Sequence, residues 1–451
     1  ITELEVDHLP DGTPVHVRLT RYRRTEQAAD RPPVVMIHGY SASGTTFAHP
    51  AVKPNLASYL WARQRDIWIV DLRTSSGMPH ARHPWTFEDA AHADIPAAIA
   101  HICNATGFDY VDVVAHCMGA AMISMAILAE PRAGERFAAQ RQWMNGLIRR
   151  LVLSQVGPLV VFSEANIFRA YLLAYLRQLL PLRAFAFRIE GEPSLMDELI
   201  DRLLATTPYP REEFHLENPW WPWGKADFVR TRHRMDALYG RDFSLCNVER
   251  AVLKRIDDFF GPLSIDTVSQ AMHFARLKTI ANSAGHNVYV SRERLRERWT
   301  FDTMSLHGLD NGLSDPATLA RMDDMFTDTL FAYVTRPMKG FGHQDCFIGR
   351  DAHKVFDTIA AFLGPESAAT PLSDYKMSVS AGPGRWAPRT PWSGPVRTGL
   401  ATADGFMVGA GCDPTYTRAV LVAFVPVVAR DNHYHIWSGM AGATSRAALL
   451  Q

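Results

Sequence analysis

Short, continuous apolar runs alternate with amphipathic stretches along the first third of the chain. Two strand-like segments, near Leu4 and at residues 15–21, come first. Apolar runs follow at residues 34–37, 66–70, 111–114 and 150–156. Each is too short for a helix and lacks the two-residue alternation of a half-exposed strand, so each reads as a strand buried on both faces. Helical periodicity fills residues 87–103 and a stretch ending near residue 129. Strands of this kind alternating with helices predict a parallel sheet covered on both sides.

The alternation breaks at about Gly157, and the pattern from there to about Arg298 is mostly helical, at residues 167–180, 195–204, 251–259 and 267–279. The aromatic interruption Pro219-Trp220-Trp221-Pro222-Trp223 reads as core of this insertion. Sheet pattern resumes with a strand at 301–306, a helix at 316–331, a strand at 333–338 and a closing helix at 351–363. Beyond Gly364 the composition shifts to Pro, Gly and Ser, with strand-like pieces at 375–380, 419–429 and 433–437. The predicted organisation is an α/β core of residues 1–156 and 299–364, a helical cap at 157–298, and a β-rich extension at 365–451.

A chain of 451 residues can bury a large core. Its 47 basic and 47 acidic side chains cancel, which argues against electrostatic capture of nucleic acid or of an anionic membrane. The most basic segment, residues 291–298, alternates Arg with Glu and reads as a solvated helix face. Five cysteines (Cys103, Cys117, Cys246, Cys346 and Cys412) are widely spaced, with no CxxC pair. Neither a disulfide framework nor a zinc knuckle is expected, and a reducing, cytoplasmic location is. No basic segment followed by an apolar one opens the chain, so a signal peptide is not expected. Membrane insertion is not expected either, because the longest apolar candidate, 156–187, is broken by Glu164, Arg169, Arg177 and Pro181. The histidines lack metal-ligand spacing and no flavin fingerprint occurs, so no metal or cofactor is expected.

Four polar segments fall at the carboxyl ends of predicted strands, where sheets of this type bind ligands. They are His38-Gly39-Tyr40, His116-Cys117-Met118-Gly119, His307-Gly308-Leu309-Asp310-Asn311 and Gly342-His343. Cys117 sits between an apolar run and a small-residue helix, a strand–turn–helix with a reactive side chain at its apex. A thiol attacks only when deprotonated, and His343 can take its proton or stabilise the thiolate. Asp310 or Asn311 would hold the imidazole in its useful tautomer: Asp310 carries the usual charge, and an Asn can serve a Cys–His pair. The backbone amides of Tyr40 and Met118 would receive the developing oxyanion. Gly39 and Gly119 are read as steric necessities of the turn, His116 as pocket or packing, Asp315 as a helix cap and Asp345 as a loop brace.

These segments, in this order and spacing, resemble the α/β-hydrolase superfamily over roughly residues 10–364. Ala115-His116-Cys117-Met118-Gly119 and the late Asn311 are similar to bacterial hydrolase modules associated with cholesterol-oxidase-type oxidoreductases. Residues 234–243 and Phe259-Phe260-Gly261 resemble parts of their helical insertion. The elbow departs from Gly-x-Ser-x-Gly at Ala115 and Cys117; a cysteine here also resembles polyester synthases and dienelactone hydrolases. The resemblance implies an α/β-hydrolase fold with a helical cap and covalent thioester chemistry. The expected activity is hydrolysis of an ester, lactone or thioester of a bulky hydrophobic substrate through an S-acyl-enzyme. The alternative is acyl transfer from Cys117 to an amine, thiol or alcohol, since both share the intermediate.

Overall fold

The computed structural model describes residues 1–23, 31–131, 137–142, 144–167, 169, 184–189, 192–204, 227–327, 329 and 331–364, together with four strands between residues 397 and 441. The main sheet begins with β1 (Thr2–His8) and β2 (Pro14–Tyr22), followed by β3 (Val34–Ile37), β4 (Ile67–Asp71), β5 (Val111–His116) and β6 (Ile148–Ser154). A small antiparallel pair, β7 (Ala184–Ala186) and β8 (Pro262–Ser264), comes next, and β9 (Asp302–Gly308) and β10 (Tyr333–Met338) complete the main sheet. The spatial order is β1-β2-β4-β3-β5-β6-β9-β10. β1 to β2 and β2 to β4 are antiparallel, and the pairs from β4 onward are parallel.

Side chains on a strand alternate between faces, and the core shows it directly. Val35, Ile37, Trp68, Val70, Val113, Ala115, Leu151 and Leu153 belong to one apolar cluster; Val34, Met36, Ile67, Ile69, Val114 and Val152 belong to another. Helices Ile95–Thr106 and Met118–Leu128 supply the first cluster, and Leu56–Ala62 and His353–Leu363 the second. This two-sided burial explains why β3, β4 and β5 read as unbroken apolar runs. Asp112, a charge inside β5, is held by Arg65 and by Arg149, whose Nε and Nη2 donate to its two oxygens at 2.8 and 2.6 Å.

Between β6 and β9 the described residues are largely helical, including Leu195–Leu204, Asp227–Tyr239 and Ile265–Leu277. The expected helix at 251–259 is instead a short helix, Arg250–Leu253, and a tighter turn, Ile256–Asp258. The expected helix at 316–331 ends at Phe326. Residues 170–180, the three tryptophans and the expected strand at 375–380 lie outside the described residues. Arg292–Arg298 is a helix with mostly exposed side chains, as its charge alternation suggests.

Contacts divide the chain into a unit of Ile1–Met377 and a unit of Ser378–Gln451. The second contains a four-stranded antiparallel sheet: β11 (Arg397–Gly399), β12 (Val408–Gly411), β13 (Ala419–Pro426) and β14 (Tyr434–Ala441). Among the described residues, no helix is long and apolar enough to cross a membrane.

Candidate active site

β5 delivers Cys117 to a turn that folds straight into helix Met118–Leu128. Its backbone sits at φ 55° and ψ −132°, a region a side-chain-bearing residue enters only under constraint. The constraint comes from both flanks. Cys117 N–H donates to Ser154 O at 2.9 Å, and Ala120 N–H closes the first turn on Cys117 O at 2.9 Å. Gly119 packs against β3 so closely that a Cβ there would lie 2.4 Å from His38 O and 2.7 Å from Ile37 O. A Cβ on Gly39 would lie 2.7 Å from that of Cys117. Backbone cannot yield as a flexible side chain can. Gly119→Ala is therefore expected to lower the unfolding free energy by about 2 kcal/mol or more, read from urea denaturation.

His38 fixes the loop after β3. Its Nδ1 lies 2.8 Å from Gly39 O, and Nε2 accepts from Leu72 N–H at 3.1 Å, so the proton resides on Nδ1. This holds Tyr40 beside the elbow, and the backbone N–H groups of Tyr40 and Met118 lie near enough to the Cys117 sulfur to favour its thiolate. The Tyr40 hydroxyl is tied to Ser264 O at 2.5 Å and to Thr267. Despite the two amides, burial pushes the Cys117 thiol up to about 12.

His343, carried on the loop after β10, is 2 % exposed and lines the same cavity as Cys117. Burial, then the charges of His116 and His307, hold its pKa well below the usual imidazole value. Burial thus disfavours both the thiolate and the imidazolium. The Nε2 atom of His343 is buried and makes no hydrogen bond among the described residues. Its Nδ1 lies 3.1 Å from Asn311 Nδ2.

The structure separates the two candidate orienters. Asp310 is exposed, whereas Asn311 is buried against His343. The Asn311 amide is fixed by its surroundings. Its Oδ1 accepts from Leu313 N–H at 2.8 Å and Ser314 N–H at 3.2 Å, and its Nδ2 faces Gln155 Oε1 and Ser314 Oγ, each at 2.9 Å. Gln155 Oε1 is fixed in turn by Gly308 N–H at 2.9 Å. A flipped Asn311 would set donor against donor and acceptor against acceptor, so the hydrogen-bond network assigns the NH2 group to the His343 side. His343 Nδ1 therefore faces an amide nitrogen whose two hydrogens are shared among three neighbours.

His116 is fully buried and serves packing. Its Nε2 bonds Gln344 Oε1 at 2.7 Å, and its ring stands 4.9 Å from that of His343. Asp345 accepts from Asn247 Nδ2 at 2.8 Å, and burial raises its pKa to about 6. Residues between β6 and β9 contribute to the site: Leu238, Tyr239, Phe260, Leu263, Val268 and Ala271 line, with Cys117, an apolar cavity of about 90 Å³. Gln155, Ser314 and Asp242 escaped the sequence reading. Gln155 carried a usable signal, since it directly follows the carboxyl end of β6, as the other site residues follow theirs.

This sheet order, with the elbow after β5 and the histidine after the last strand, agrees with a family match. Residues 34–298, more than half of the chain, match the model of the Alpha/beta hydrolase family. The chain belongs to that family. No curated protein matches the sequence. Among solved structures, the hydrolase is similar to a monoglyceride lipase from Saccharomyces cerevisiae (14% identity, 80% of this chain and 94% of that one, TM-score 0.47). It is also similar to a thermophilic esterase from Thermogutta terrifontis (13% identity, 80% and 98%, TM-score 0.42) and to an esterase from Exiguobacterium antarcticum (12% identity, 80% and 98%, TM-score 0.43).

Proposed function

We propose that this hydrolase cleaves a carboxylic ester or thioester with an apolar acyl part, through an S-acyl-enzyme on Cys117. The observation that carries the reading is the strained Cys117 apex, with two backbone N–H groups near its sulfur and His343 in the same cavity. The thiol would attack the acyl carbon while its proton passes to His343 Nε2. The amides of Tyr40 and Met118 would meet the oxyanion, charge that exists only in the transition state. The bond to the leaving group then breaks, and the imidazolium returns its proton to the departing oxygen or sulfur. Water repeats the sequence on the thioester and frees the acid.

Attack requires the imidazole in its Nδ1–H form, with the Nε2 lone pair free. An amide NH2 facing His343 Nδ1 does not hold a proton there as a carboxylate would, so Asn311 is a weaker orienter than an Asp in its place. Segment 157–298 would act as a cap over the nucleophile, and the cavity admits a short apolar acyl chain; a bulky substrate would have to displace cap residues. Apolar residues line the cavity around Cys117, and acyl transfer to an amine, thiol or alcohol is the second reading.

The test is intact mass and peptide mapping after brief exposure to activated acyl esters and thioesters. An acyl adduct on Cys117 is expected, and its partition between water and added amine or alcohol separates hydrolysis from transfer. A thiol that resists both acylation and alkylation would remove Cys117 from the reaction.

A further inference from the structure

The cavity that Cys117 lines holds one carboxyl that the proposed acyl chemistry does not use. Asp242 is 2 % exposed and lies just beyond helix Asp227–Tyr239. Its backbone O accepts from the N–H groups of both His343 and Gln344 at 2.9 Å, so the chain there is locked to the histidine loop. Its side chain is different: Oδ2 is buried, and the carboxyl has no hydrogen-bond or ion-pair partner among the described residues. Three nearby polar groups, unlike His343 Nε2, do have partners. The Tyr239 hydroxyl bonds Ser41 Oγ at 2.6 Å, Asn166 Nδ2 donates to Leu313 O at 3.1 Å, and Asp236 faces Arg232 at 3.4 Å. A buried carboxyl left unpaired costs stability, and such a cost is kept where a ligand supplies the partner.

We infer that Asp242 is a substrate-binding residue, a neutral acid whose O–H donates to an uncharged acceptor oxygen on the body of an otherwise apolar substrate. The substrate class narrows to acyl compounds carrying a keto, ether or hydroxyl oxygen beyond the scissile carbonyl. The electrostatics agree. Burial, then the neighbouring carboxylates Asp236 and Asp345, hold the Asp242 pKa well above the ordinary value. The other groups that sense its charge are the Cys117 thiol and the Tyr239 hydroxyl, both of which it pushes up. Arg241, next in the chain, is turned to Ser244 Oγ at 3.1 Å. An anionic Asp242 would lose its donor, so binding of the oxygen-bearing substrate should weaken as pH rises through its raised pKa.

This inference rests on the site being an acyl-binding one, and its test is independent of the covalent chemistry. Cys117→Ala protein is titrated with p-nitrophenyl hexanoate and with its 4-oxo and 5-oxo analogues, by calorimetry between pH 6 and 9. At least one oxo ester should bind about tenfold tighter than the plain ester at pH 6. That preference should decline, not grow, as pH rises. In Cys117→Ala/Asp242→Leu it should fall to unity or below at every pH, and in Cys117→Ala/Asp242→Asn, which keeps a donor, it should lose its pH dependence. Equal binding of all three esters, or a preference that survives Asp242→Leu, would overturn the inference. Wild-type protein exposed to the same esters reports separately on Cys117: a missing acyl adduct beside an intact preference would sink the nucleophile and leave Asp242 standing.

Discussion

Cys117→Ala is expected to lower ester turnover by at least about 10⁴-fold, because it removes the atom proposed to form the acyl bond. The two amides near the sulfur remain, and they would sustain only the residual rate of an oxyanion hole without a nucleophile. The fold should tolerate the change. Cys117 imposes the same φ of 55° on either side chain, and the backbone bonds from Cys117 to Ser154 and from Ala120 to Cys117 are untouched. Unfolding free energy should therefore stay within about 1 kcal/mol of wild type. Steady-state kinetics beside urea denaturation checks both halves. Turnover at the wild-type rate in a folded Cys117→Ala protein would mean that the acyl-enzyme does not exist.

Asn311→Asp is expected to do the opposite and activate the site. A carboxylate at this position would accept a proton on His343 Nδ1, which frees Nε2 to take the thiol proton. In serine proteases the reverse exchange, Asp to Asn, costs about 10⁴ in rate by imposing the wrong tautomer. The negative charge also raises the His343 pKa and favours the thiolate–imidazolium pair over the neutral one. Alkylation of Cys117 by iodoacetamide at pH 7 should accelerate about tenfold or more, and acylation with it. The gain is smaller than the protease value because the new carboxylate faces Gln155 Oε1, where Asn311 Nδ2 now sits at 2.9 Å. That clash of acceptors should cost about 1–3 kcal/mol of stability, visible in the same denaturation experiment. Asp310→Ala, on the exposed side of the loop, should change the alkylation rate by no more than about twofold. An Asn311→Asp protein that alkylates more slowly than wild type would show that the amide assists His343.

The hydrophobic pattern determined which segments became strands of the core. Runs such as Val34–Ile37 and Ile67–Asp71 can be satisfied only between two covering layers, and the described clusters on either face are the result. The elbow was legible for a related reason, since a buried strand running through a single polar apex into a small-residue helix leaves few other conformations. The helix Asp227–Tyr239 was missed because its buried side chains include Arg232, His233, Arg234 and Asp236. Those residues are buried through pairing, as in Arg234 Nε to Asp201 Oδ1 at 2.6 Å, and pairing across 33 residues leaves no period in the sequence.

The order along the chain likewise determined that Cys117, His343 and the 308–311 loop would fall at one edge of the sheet, because parallel strands place their carboxyl ends together. It did not determine which loop residue faces His343. Asp310 and Asn311 are adjacent, and the choice turned on Oδ1 of Asn311 capping Leu313 and Ser314 while Asp310 points outward. The direction of the Asn311 amide required Gln155 from the end of another strand. The isolation of Asp242 required every neighbour that could have paired with it to be placed first. Strand and helix formation follow from the period of side chains along one segment. An amide's direction or an unpaired carboxyl follows from donors and acceptors that meet only when distant segments close on one another.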